Sequence, residues 1–258
     1  MDDNSGQPSA KEVFDTTPYT ILVVDDNPDM TDFLKRTFEG YFKRIIIAGD
    51  GVEALQLVRS HVPDIIVSDV MMPRMNGYKL CKTIKEDINI SHIPVILLTA
   101  RDDRQSQISG YKNGADGYLS KPFEVEMLME LIRNRLKNRE YTKKRYLNAG
   151  LIPTPEESTI SLTDETFLIK LNSIIQENID NTNLGIQFIC QEVGLGRSSL
   201  YNKLKALTGM GANEYISKLR IEKAITLISG TDMPFSEIAE KTGFTTPSYF
   251  STTFKQYT

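Results

Sequence analysis

The sequence predicts two successive folds: an α/β domain whose five-stranded parallel sheet is doubly wound by helices, then an all-helical domain carrying a tandem helix-turn-helix. Three observations predict them. Residues 19–122 alternate short runs rich in Ile and Val with helix-length amphipathic stretches, the pattern of strands buried on both faces beneath covering helices. The string Ile152-Pro153-Thr154-Pro155 places two prolines in four residues, which no continuous helix tolerates. Beyond it no strand signal survives, and part of the chain repeats itself.

Taken in order, residues 1–18 are polar and partly acidic and lack an apolar stretch flanked by basic residues. They read as a disordered lead-in rather than a signal peptide. Strands are expected over Tyr19–Val24, Arg44–Ala48, Asp64–Ser68, Ile93–Leu98 and Gly117–Leu119. Helices are expected between them over Asp29–Glu39, Val52–Ser60, Gly77–Lys85 and Asp103–Asn113, with a last one from Phe123 towards Glu140. Residues 19–140 thus form the first domain, 141–163 a basic, then Pro- and Ser-bearing linker, and 164–258 the second domain.

The second domain holds the repeat. Ile189-Cys190-Gln191-Glu192-Val193-Gly194-Leu195 matches Ile238-Ala239-Glu240-Lys241-Thr242-Gly243-Phe244, and beyond the turn Leu200, Leu204 and Lys205 align with Phe250, Phe254 and Lys255. Each copy is a short helix, a turn with Gly where positive φ is tolerated, and a second helix with apolar residues at i and i+4. That is the layout of a helix-turn-helix. Between the copies, Ala212–Ser229 is expected to be one amphipathic helix offering Ile216, Leu219, Ala224, Leu227 and Ile228 to a shared core.

Of the 258 residues 40% are hydrophobic and 25% charged, and the net charge of −4 does not advertise a nucleic-acid binder. Its distribution is more informative. Residues 1–132 carry 14 Lys and Arg against 21 Asp and Glu, whereas 184–220 carry Arg197, Lys203, Lys205, Lys218 and Arg220 against only Glu192 and Glu214. The two cysteines, Cys81 and Cys190, form no spaced cluster and read as reduced structural thiols of a cytoplasmic protein. No apolar run approaches the roughly 20 residues that span a bilayer.

In a parallel sheet ligands collect at the carboxyl ends of the strands. Asp25 and Asp26 end the first strand, Asp69 the third and Thr99 the fourth, while Lys121 follows the fifth. Clustered carboxylates repel unless a cation joins them, and hard oxygen donors suit Mg²⁺ (or Mn²⁺). A carboxylate nucleophile, a metal, a hydroxyl and an ammonium at one edge suit phosphoryl transfer. The alternative is that Asp25-Asp26, before Asn27-Pro28, merely caps a helix.

In the second domain the second helix of each unit is the candidate reader of a DNA major groove. The first carries Arg197, Ser198, Ser199, Tyr201, Asn202, Lys203 and Lys205; the second carries Thr245, Thr246, Ser248, Tyr249, Ser251, Thr252 and Lys255. Arg197 and Asn202 suit guanine and adenine edges, and the Ser, Thr, Tyr and Lys side chains suit phosphates. A linking helix of about 18 residues spans roughly 27 Å, which serves successive major grooves about 34 Å apart if the DNA bends.

Residues 19–140 closely resemble the receiver domains of two-component response regulators. The resemblance rests on Ile21-Leu22-Val23-Val24-Asp25-Asp26-Asn27, Ser68-Asp69-Val70-Met71-Met72-Pro73-Arg74-Met75-Asn76-Gly77, Leu98-Thr99-Ala100 and Gly114-Ala115-Asp116-Gly117-Tyr118-Leu119-Ser120-Lys121-Pro122-Phe123. It implies a flavodoxin-like fold, Asp69 as phosphoacceptor, and Asp26, Asp69 and the Met71 carbonyl as direct metal ligands, with Asp25 acting through water. It further implies Thr99 as the hydroxyl that follows the phosphoryl group, Tyr118 as an aromatic switch and Lys121 as the ion-pairing lysine. Met71 and Arg101 each stand two residues beyond a site residue and flank the expected path of water, which predicts a long-lived phosphoryl group.

Residues 164–258 resemble the AraC/XylS family of tandem helix-turn-helix domains. The carriers are Val193-Gly194-Leu195-Gly196-Arg197-Ser198-Ser199-Leu200-Tyr201-Asn202-Lys203-Leu204-Lys205, Leu219-Arg220-Ile221-Glu222-Lys223-Ala224 and the second repeat with Ser248-Tyr249-Phe250-Ser251. The family usually continues with a Gly, a Pro and a Tyr/Phe-Arg ending; the chain stops at Thr258 without them, so the second unit is expected to lack its final helix.

Together the two resemblances imply a regulator controlled by a histidine kinase, similar to the C-terminal end of hybrid two-component systems or to a free-standing regulator. They imply double-stranded DNA as partner, RNA polymerase as a further one, a homodimer on phosphorylation, and no enzymatic activity beyond the receiver's own phosphorylation and dephosphorylation. Two rivals stand beside this: a phospho-dependent protein-interaction module, and a hydrolase using Ser120 with Lys121, for which no oxyanion-hole signature is present.

Overall fold

A computed structural model describes residues 13–100, 114–149 and 161–257. The lead-in up to residue 12, Arg101, the helix expected over Asp103–Asn113 and the proline-bearing part of the linker lie outside the described residues.

Five strands, β1 (Thr20–Val24), β2 (Arg44–Ala48), β3 (Ile65–Asp69), β4 (Val95–Ala100) and β5 (Gly117–Lys121), form one sheet in the order β2-β1-β3-β4-β5. Every neighbouring pair is parallel. Successive side chains point to opposite faces, so Leu22, Val24, Ile66 and Leu97 enter one core layer while Ile21, Val23, Val67 and Leu98 enter the other. Helices α1 (Pro28–Phe38), α2 (Gly51–His61) and α3 (Gly77–Glu86) follow the strands and begin where a polar side chain caps them. Asn27 accepts from Asp29 N, Asp50 from Val52 N and Glu53 N, and Asn76 from Lys79 N. Cys81 lies deep in the core, and burial pushes its thiol up to about 12, so it stays a protonated structural thiol.

Helix α4 (Val125–Ala149) is longer than expected. The segment read as linker from Tyr141 is helical for its first nine residues, because the helix has a hydrophobic partner at each end. Leu128, Ile132 and Leu136 pack on the sheet, and Tyr146 enters the core of the second domain. At 1.5 Å per residue it is about 37 Å long and serves as a strut between the domains.

The second domain is helical throughout its described residues: α5 (Leu162–Glu177), α6 (Ile186–Val193), α7 (Arg197–Thr208), α8 (Ala212–Gly230), α9 (Phe235–Lys241) and α10 (Pro247–Tyr257). Its two helix-turn-helix units have separate cores. Ile189, Leu200 and Leu204 belong to one, Ile238, Phe244 and Phe250 to the other. Helix α8 feeds both: Ile216 and Leu219 enter the first, while Ala224 with the half-buried Leu227 and Ile228 packs into the second.

The repeat is visible in the backbone. Gly194 and Gly243 both stop their helices at φ 73°, in the left-handed region. Leu195 N and Phe244 N each bond back, at 3.0 Å, to the carbonyls of Cys190 and Ala239. The two turns differ in their surroundings. A Cβ at Gly194 would meet nothing within 4 Å, whereas one at Gly243 would stand 2.3 Å from Ile179 O and 2.8 Å from Arg220 Nη2. Gly194→Ala is therefore expected to lose only the left-handed strain, about 1–2 kcal/mol, and Gly243→Ala about 3 kcal/mol or more because overpacking adds to it. Urea unfolding of the two variants measures the difference.

Candidate functional site

The parallel register places Val24 of β1 beside Ser68 of β3, so the residues at the carboxyl ends of these strands, Asp25 and Asp69, become neighbours. Both carboxylates are buried. The Lys121 ammonium, at the end of β5, bridges them: its Nζ lies 2.8 Å from Asp25 Oδ2 and 2.5 Å from Asp69 Oδ1. Burial alone would lower the Lys121 pKa, but its hydrogen bonds to Asp25 and Asp69 and their negative charges outweigh it and hold the value above that of an ordinary lysine. The other Asp69 oxygen accepts from Met71 N at 2.8 Å. Asp25 Oδ1 accepts from Asn27 N at 2.9 Å, while the cap of α1 is Asn27. Helix-capping therefore does not account for Asp25.

The other predicted residues fall around this pair. Thr99, in β4 next to β3, is buried, and its Oγ1 has no hydrogen-bond partner among the described residues. Tyr118 in β5 packs half-buried against the core layer under α2 and α3. Asp26 points outward, and the Met71 side chain is 72% exposed. No group of three or more His, Cys, Asp or Glu side chains among the described residues is gathered as a metal cluster; what joins Asp25 and Asp69 is the ammonium. Ser120 has no free lysine beside it, since Lys121 is engaged by the two acids.

Two features of the site escaped the sequence reading. A Cβ at Gly77 would stand 2.2 Å from Asp69 O, so only glycine lets α3 start this close to the acid. Arg74, at φ 60°, reaches over to pair with Asp50, the cap of α2, and ties down the loop after Asp69.

On the second domain, the predicted readers divide. Arg197, Ser198, Tyr201 and Lys205 of α7 are exposed, with Ser199 and Asn202 half-buried. On α10 and the turn before it, Thr245, Thr246, Ser248, Tyr249, Ser251, Thr252 and Lys255 are all exposed. Lys203 is the correction. It is 0% exposed, paired with Asp164 at the start of α5, and hydrogen-bonded to Ser91 Oγ of the first domain at 2.8 Å. It therefore does not belong to the outward face of α7.

The receiver-domain family, "Response regulator receiver domain", matches residues 21–133, and a helix-turn-helix domain family matches 189–258. The chain is 36% identical to the response regulator MprA of Mycobacterium sp. (strain KMS) over 165 residues, which cover 59% of this chain and 70% of that protein. This chain belongs to the response regulators. It is also 40% identical to histidine kinase P4 of Formosa agariphila over 237 residues, 92% of this chain but 17% of that protein. The DNA-binding response regulator MtrA of Mycolicibacterium smegmatis is 36% identical over 136 residues, 53% of this chain and 58% of that one. The chain thus spans a sixth of the first of these two and rather more than half of the second.

Two further cations of this response regulator's basic stretch are also turned inward. Lys218 of α8 donates to the Leu147 carbonyl at 2.7 Å and to that of Tyr146, closing the end of α4. Arg220 donates to the carbonyls of Ile179 and Asn181 and lies over the Phe244 ring, joining the two helix-turn-helix units. Three of the five basic residues counted over 184–220 are therefore structural tethers. Arg197 and Lys205 remain on the surface.

At the acidic site, Lys121→Met leaves two buried carboxylates face to face without a counter-charge. The receiver is expected to lose about 2 kcal/mol of stability at neutral pH, a buried-pair value discounted for the lysine's partial exposure. Adding Asp69→Asn should restore much of it. Urea unfolding of the single and double variants checks both.

Proposed function

We propose that this response regulator is a phosphorylation-controlled transcription regulator, in which Asp69 accepts a phosphoryl group from a histidine kinase and the two helix-turn-helix units bind DNA. The observation that carries the reading is the pairing of Asp69 with Lys121 and with Met71 N beside the unpartnered hydroxyl of Thr99. An Asp69 oxygen attacks phosphorus, the bond from phosphorus to the kinase imidazole nitrogen breaks, and the imidazole keeps the electron pair and takes a proton. Lys121 neutralises charge on the phosphoryl oxygens, and Thr99 Oγ1 supplies a hydrogen bond to one of them. The oxygen donors of Asp25, Asp26, Asp69 and the Met71 carbonyl suit a hard divalent cation, Mg²⁺ or Mn²⁺, which when bound adds positive charge at the same oxygens. Tyr118, half-buried one strand over from Thr99, serves in this reading as the aromatic switch that follows it.

The exposed faces of α7 and α10 supply the DNA contacts, with Arg197 and Asn202 on base edges and Lys205 and Lys255 on phosphates. The receiver and output face the cytoplasm, where DNA and RNA polymerase are; no helix among the described residues is long and apolar enough to cross a membrane. The likeness to a short part of a histidine kinase supports a kinase and regulator sharing one polypeptide. Phosphorylation shifts the receiver between two states and, through it, homodimer contacts or the placement of the readers.

Treatment with a small phosphodonor and Mg²⁺ should give a single phosphoryl adduct on Asp69 by mass spectrometry, absent from Asp69→Asn. Met71→Asn should lose the label faster than the wild type, since a smaller polar side chain no longer hinders water. On a duplex selected from random sequence, Arg197→Ala is expected to weaken binding by about 1–3 kcal/mol. Lys205→Ala should reduce the salt dependence by about one phosphate contact. Failure of the selection to yield any bound duplex would favour the interaction-module reading.

A further inference from the structure

The receiver and the first reader unit meet in a seam at the amino end of the sheet, away from Asp69. Residues 87–92, between α3 and β4, form its receiver side. Ile88 packs against the output core. Ser91, 0% exposed, donates to Asp164 Oδ1 at 2.7 Å and accepts from Lys203 Nζ. Thr163 Oγ1 donates to the Lys85 carbonyl at 2.9 Å. Next to these bonds His92, 8% exposed, lines a cavity of about 70 Å³ between the domains, and its Nδ1 has no hydrogen-bond partner among the described residues.

A buried ion pair is held by its hydrogen bonds, because desolvation offsets most of the attraction. Here the third partner comes from the other domain. Burial by itself would raise the Asp164 carboxyl, but the charge of Lys203 and the bonds from Lys203, Ser91 and Ser161 hold it below the ordinary carboxylate range. Docking thus gives the pair a partner, and undocking leaves it to water.

We propose that this seam is a releasable latch, in which Ser91 of the receiver holds the reader helix α7 by closing over the Asp164–Lys203 pair, and which acid opens. It rests on α7 being a reader helix and not on phosphorylation of Asp69. The acid sensitivity comes from His92. Cations face it from three elements, Lys85 on α3, Arg135 and Arg139 on α4 and Lys203 on α7; Asp164 on α5 and Asp116 before β5 are the nearby acids. Burial first, and then the charges of Arg139 and Lys203, lower its pKa from 6.5 to about 3. The docked imidazole is neutral, whereas an undocked one takes a proton below its ordinary pKa. Docking is therefore fully favoured above pH 6.5 and weakens as pH falls from 6.5 towards 3. At pH 5.5 the open fraction should be about tenfold higher than at pH 7.5, the ratio set by a free histidine of pKa near 6.5.

Ala206, buried on α7 and lining the same cavity, provides the reporter. In the full chain carrying Ala206→Cys and Cys190→Ser, the introduced thiol is labelled with dithiodipyridine, with rates normalised to a free thiol at each pH. Cys81, sealed in the receiver core, is the internal check on folding. Labelling at position 206 is expected to rise about tenfold from pH 7.5 to 5.5. Ser91→Leu, or Ser91→Ala where leucine prevents folding, should raise it at pH 7.5. His92→Phe should abolish the pH dependence, and Asp69→Asn should change none of these rates. Equal labelling at both pH values would overturn the latch. So would a tenfold rise that survives His92→Phe, or Cys81 labelled in step with position 206. No DNA or phosphodonor is present, so failure of the latch is separable from failure of the proposed regulator.

Discussion

Two buried carboxylates at the ends of adjacent strands share one ammonium group, and the receiver is arranged around that compensation. Asp25 and Asp69 are brought side by side by the parallel pairing of β1 with β3. Like charges at that separation in a poorly solvated site repel strongly. Lys121 reaches them from the far edge of the sheet, so β5, two strands from Asp69, must be in register for the site to be tolerable. Gly77 and the Arg74–Asp50 pair shape the loop that follows Asp69, and Thr99 completes the rim from β4.

The second organising element is α4. Its amino-terminal half is part of the receiver core and Tyr146 near its carboxyl end is part of the output core, so one continuous helix joins the two domains. Lys218 closes the carboxyl end of that helix, Arg220 joins the two reader units, and Lys203 meets Asp164 and Ser91 across the seam. Each of these cations satisfies groups that would otherwise be buried unpaired. The output domain is consequently less basic on its surface than its composition suggests.

Much of the receiver was legible in the sequence because its signals are local. Continuous apolar runs gave five strands within about two residues of their observed ends, and acids, hydroxyl and lysine fell at strand ends as read. The 49-residue offset between Gly194 and Gly243 was matched by identical φ values. The end of α4 was misjudged for an equally physical reason: its last turns are polar over much of their surface, and Tyr146 becomes a core residue only when the second domain is present to receive it.

Local pattern thus determined the element types, the parallel sheet, the acidic edge and the duplicated helix-turn-helix, since hydrophobic period and turn chemistry act over a few residues. Tertiary structure alone decided which polar residues face outward. Lys203 and Lys205 are two positions apart on one helix, yet one is sealed and the other solvated. The difference is made by Ser91, 112 residues away in the chain, and by Asp164, 39 away. A surface helix has several polar sides, and which of them is covered depends on what the rest of the chain brings against it.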